Sequence, residues 1–100
     1  MKFEIKGPLK ENIFTLLRKT GYFFLRKDEE KKEFEFVRPP KGFPRFHLFV
    51  KKEGKFYHFS LHLDQKAPIY KGVRAHSGEY EGDVVEREAE RIKRIVKNES

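Results

Sequence analysis

Two runs of strict alternation dominate the chain. Phe46, Leu48 and Val50 form one apolar set, and Tyr57, Phe59, Leu61 and Leu63 continue it on the next run. Successive side chains of a strand point to opposite faces, so burying these residues gathers their alternates on the other face. Those alternates are Arg45, His47 and Phe49, then Phe56, His58, Ser60, His62 and Asp64. Three of the four histidines thus share a surface with an arginine, a serine and an aspartate. Glu53-Gly54 between the runs predicts a tight hairpin turn. The register then has Phe49 facing His58, His47 facing Ser60 and Arg45 facing His62.

The flanking segments supply the other elements. Phe3 and Ile5 alternate within Lys2 to Lys6 and predict a short strand. Pro8 suits the first position of a helix carrying Leu9, Ile13, Leu16 and Leu17, and Gly21 is its expected stop. Tyr22 to Arg26 and Lys32 to Val37 read as a hairpin around the charged turn Asp28-Glu29-Glu30-Lys31. The segment Arg38-Pro39-Pro40-Lys41-Gly42 is a connection, because proline cannot continue a ladder. From Gln65 to Gly82 no period is visible. A closing helix starts at Asp83, which has capping-box spacing to Glu86, and carries Val85, Ala89, Ile92 and Val96 as its apolar stripe.

One hundred residues make a single domain, spanning 1–100, with one core. Both helices need a partner surface, and the second hairpin offers one strongly apolar face. The prediction is an α+β two-layer sandwich: an antiparallel sheet of four strands, or five with the N-terminal one, and two helices on one face. The helix–strands–helix order is similar to that of double-stranded RNA-binding domains and of HicA-type toxins, which cut mRNA. The chain carries neither the Gly-Ser-His motif of those toxins nor a dsRNA-binding loop.

Charge changes this picture. Of a formal +7, all lies between Val37 and Gly78, where nine basic residues face only Glu53 and Asp64. The remainder carries fourteen of each sign. Concentrated positive charge attracts polyanions, although a solvated, lysine-rich turn would also account for Lys51, Lys52 and Lys55. The chain has no cysteine, which excludes disulfides and thiolate metal sites and agrees with a reducing cytoplasm. No apolar run is long enough for a signal peptide or a membrane span.

The first functional expectation is therefore a cytoplasmic nucleic-acid-binding domain, RNA favoured over DNA, that uses the histidine face and needs no cofactor. Arg45, Lys51, Lys52, Lys55, Lys66, Lys71 and Arg74 would contact phosphate, and Phe49 and Phe56 would stack on bases. His47, His58 and His62 would supply polar contacts or the acid–base pair of a ribonuclease. The second expectation is a divalent-metal centre, structural or hydrolytic. His58 and His62 are separated by roughly 13 Å along a strand, too far to share an ion. His62 and Asp64 are neighbours on one face, completed by His47, or by His76 or Glu79 from the long connection. Such nitrogen and oxygen donors suit zinc or manganese. The third expectation is a homodimer through the same face.

Overall fold

In the computed structural model, which describes residues 1–65, 78, 79 and 82–99, the elements run β1 (Lys2–Lys6), α1 (Ile13–Lys19), β2 (Phe23–Asp28), β3 (Glu33–Arg38), β4 (Arg45–Glu53), β5 (Phe56–Asp64), β6 (Gly78–Glu79) and α2 (Asp83–Glu99). The strands pair antiparallel in the order β1-β5-β4-β3-β2, and the short β6 pairs the far end of β5. The N-terminal strand does join the sheet: Phe3 lies opposite Phe59 and Ile5 opposite Tyr57. Their apolar side chains extend the core face, as the alternation predicts.

Both helices cover that face. Leu16 and Leu17 of α1 and Val85, Ala89, Ile92 and Val96 of α2 are buried with Ile5, Phe36, Leu48, Val50, Phe59 and Leu61 of the sheet. Each of these side chains except Ala89 contributes about 1.5–3 kcal/mol through its removal from water. The result is the two-layer α+β sandwich. No helix among the described residues is long and apolar enough to cross a membrane.

Helix α1 starts later than the Pro8 signal suggests. Asn12 accepts a hydrogen bond from the Thr15 amide at 2.8 Å, which makes it the N-cap and leaves Leu9 in the approach to the helix. Gly21, with φ of 98°, ends the helix as expected. Helix α2 begins at Asp83, and the Gly82 carbonyl accepts from the Glu86 amide. Gly82 therefore holds the cap position, and Asp83 sits one residue inside, where its charge still favours the positive helix end.

The hairpin register differs from the expected one by two residues. Glu53 pairs with Phe56, so Gly54 and Lys55 form the turn. Gly54 has φ of 60° and takes the first central position, which a two-residue turn of type II′ assigns to glycine. A shift of two keeps every side chain on its predicted face but changes its neighbour. His47 faces His62 and not Ser60, Arg45 faces Asp64 and not His62, and Phe49 faces Ser60 and not His58.

A buried polar network joins the helices. Tyr22 is fully buried and its hydroxyl donates to Glu88 Oε2 at 2.7 Å. Arg91 donates to the same carboxylate at 2.8 and 2.9 Å and to the Thr20 carbonyl at 2.6 Å, and Arg38 approaches Glu88 at 3.3 Å. Burial and the Glu88 charge hold the phenol far above its ordinary pKa, so it remains a donor. The i,i+3 pairing of Arg91 with Glu88 is a helix pattern, but the carboxylate it holds is an anchor between elements.

Candidate metal centre

The observed register turns the diagonal placement of His47 and His62 into a direct pairing. His47 on β4 and His62 on β5 are direct cross-strand partners, with ring centroids 5.0 Å apart and planes at 80°. Asp64, two residues along β5 on the same face, reaches both. His47 Nδ1 lies 3.2 Å from Asp64 Oδ2, and His62 Nε2 lies 3.3 Å from Asp64 Oδ1. One ligand atom from each of the three residues falls within 4.8 Å of the others.

A second carboxylate enters from β3. Glu35 Oε1 is 2.9 Å from His47 Nε2 and is itself 3.4 Å from Arg26 Nε on β2. With the His47 proton on Nε2, where Glu35 accepts it, Nδ1 turns a lone pair towards Asp64. In that tautomer a metal ion between Nδ1 and Asp64 Oδ2, 3.2 Å apart, would satisfy both atoms. Glu35 escaped the sequence reading, because Phe34 and Phe36 mark β3 as half-buried without showing which strand it would lie beside.

This part of the face is less open than the alternation suggests. His47 is buried at 9% exposure, and the side chains of His62 and Asp64 are 13% and 19% exposed. The reason is mutual packing: Phe49 stacks on His47 at 4.3 Å and leans on His62 at 5.3 Å. Burial pushes the His62 imidazole below its ordinary pKa against the pull of Asp64, which keeps the ring neutral and its lone pair available.

His58 is not part of the cluster. It bridges Glu4 on β1 at 3.0 Å and Glu53 on β4 at 3.3 Å, and its side chain is half-buried. The candidate phosphate and stacking residues are scattered. Lys51 pairs with Glu53 at 3.3 Å, Lys52 lies on the other face over the Tyr57 ring, and Lys55 is in the exposed turn. Phe56 is 40% exposed near that turn, whereas one side of Phe49 is taken by His47. Glu4, Glu33 and Glu35 come onto the face from neighbouring strands and Glu53 from β4 itself, so acidic side chains answer the basic ones along it. Lys66, Lys71, Arg74 and His76 lie outside the described residues. Glu79 is described by its backbone alone, in β6, where Gly78 pairs with Asp64 and Glu79 with Leu63. The chain thus returns to the Asp64 end of β5 after the long connection.

His47, His62 and Asp64 form a group that could hold one metal ion. Both imidazoles turn a nitrogen to the same carboxylate, which does not place them on two sides of a substrate as an acid–base pair. The chain matches no protein-family model, no curated protein and no solved structure.

Proposed function

We propose that the protein binds a divalent transition-metal ion through His47 Nδ1, His62 Nε2 and the Asp64 carboxylate. The observation that carries this reading is the convergence of three donors from two adjacent strands within 4.8 Å. An ion held at about 2.0–2.2 Å needs donors roughly 3.0–3.5 Å apart, and both histidine contacts to Asp64 already have that spacing. Glu35 behind His47 supports it further, since a ligating histidine ordinarily donates its other N–H to a carboxylate. Two imidazoles, one carboxylate and no thiolate suit zinc or manganese. Three protein ligands on one side leave positions for water or substrate, so the ion can serve as a Lewis acid in hydrolysis.

Thermal melting of chelator-treated protein tests this. Adding zinc or manganese should raise the midpoint of the wild type and leave Asp64→Asn where it was. Equal responses of the two proteins, or none, would remove the reading.

A second reading keeps nucleic acid, RNA favoured, as a partner at the β4–β5 turn, where Lys55 and the exposed Phe56 lie together. Affinity for single-stranded RNA should then fall with salt at a slope of about −0.7 per phosphate contact. Phe56→Ala should weaken it without changing the slope. Binding no stronger than to heparin would mark the charge as solubility only.

A further inference from the structure

We infer that the ion at His47, His62 and Asp64 takes an oxyanion, the phosphate or carboxylate group of a substrate, as co-ligand, and that Arg45 clamps this group against the metal. The inference rests on the metal reading above.

Four observations lead to it. Arg45 and Asp64 are direct cross-strand partners, which sets the guanidinium beside the metal-ligand carboxylate. Its Nε stands 3.6 Å from Asp64 Oδ2, too far for a hydrogen bond. This Nε is buried and has no hydrogen-bond partner among the described residues. A buried donor without an acceptor is costly, and a ligand that supplies the acceptor is favoured there. Phe43 fixes the orientation of the group, with the guanidinium carbon 4.6 Å from its ring centroid.

Charge points the same way. Asp64 and Glu35 are the carboxylates of the site, and each already has a guanidinium beside it, Arg45 and Arg26 respectively. The two pairs cancel, so the charge of a divalent ion is uncompensated. An anion entering an open position neutralises it. The planar fork of arginine matches the paired oxygens of phosphate or carboxylate, so one ligand can bridge metal and Arg45.

Cobalt(II) gives a visible spectrum that reports on the site directly. The protein is loaded with cobalt, and inorganic phosphate and acetate are titrated separately at saturating metal. Phosphate or acetate should shift the cobalt bands, and whichever binds more tightly names the class of group. Cobalt affinity is measured first in each variant, so the anion titration is read with the site full. Arg45→Gln should weaken the anion by roughly tenfold or more, and Arg45→Lys should restore part of the loss. Cobalt bands that neither anion moves, or an Arg45→Gln protein that binds the anion as well as wild type, would overturn the clamp while leaving the metal site standing. A wild type that binds no cobalt would overturn both, and the fault would lie with the metal reading.

Discussion

His47 and His62 stand opposite each other across the β4–β5 ladder, and each turns one nitrogen to the same carboxylate, that of Asp64. The arrangement depends on a turn of only two residues. One more residue between Glu53 and Phe56 would separate the rings, because register passes along the whole ladder.

Glu35 should matter for metal affinity without touching the ion. Glu35→Gln keeps the size of the side chain but weakens the acceptor for His47 Nε2–H. Loss of such a partner typically reduces affinity by about 10–100-fold. A competition titration with a chromophoric chelator measures this, and an unchanged affinity would show that Glu35 does not orient His47.

Acid should weaken the metal-free protein through His62. Burial depresses its folded-state pKa below the unfolded value of about 6.5. As pH falls through the unfolded value, the unfolded chain takes up a proton that the folded one refuses. The contribution of His62 is therefore full above about pH 6.5 and is lost as pH falls towards the folded pKa. Denaturant midpoints between pH 5 and 8, with chelator present, should show this slope in wild type and a shallower one in His62→Gln. Parallel profiles would contradict the burial argument.

The histidines should differ in their weight in the fold. His58→Ala removes two contacts to carboxylates, Glu4 and Glu53, at a half-buried surface position and should cost within about 1 kcal/mol. His47→Ala strips partners from Glu35 and Asp64 and should cost about 1–3 kcal/mol. Leu48→Ala and Leu61→Ala, both at 0% exposure, should cost about 2–5 kcal/mol. Chemical denaturation ranks the four, and a His58 effect equal to that of Leu61 would invert the assignment of faces.

How much of this was legible in the chain depends on the range of each signal. Alternation in Phe46–Val50 and Tyr57–Leu63 is local, and it placed His47, His62 and Asp64 on one face, with the helices on the other. Partners across the sheet were not legible. The turn at Gly54 could be framed in two ways that preserve the faces, and only the backbone geometry selects the one that pairs His47 with His62. Glu35 and Arg26 reach the site through the order of strands, which pattern along the chain does not encode. Glu88 reads as a helix-surface residue from its i,i+3 spacing to Arg91, and its burial comes from Tyr22, 66 positions away.

That last contact has its own test. Tyr22→Phe removes one hydrogen bond to a buried carboxylate and should cost about 1.5–3 kcal/mol in denaturant unfolding. A neutral effect would mean that Arg38 and Arg91 satisfy Glu88 without it.

The most direct measurement is the metal content of the folded chain. Protein purified without chelator, dialysed against zinc or manganese and analysed for elements should hold one ion per chain. Asp64→Asn and His62→Ala should hold none under the same conditions. At a hundredfold excess over Kd, binding adds about 2.7 kcal/mol of stability, which for a domain of this size is a rise of roughly 10–20 °C in Tm. Metal-free wild type with an unmoved Tm would contradict the account.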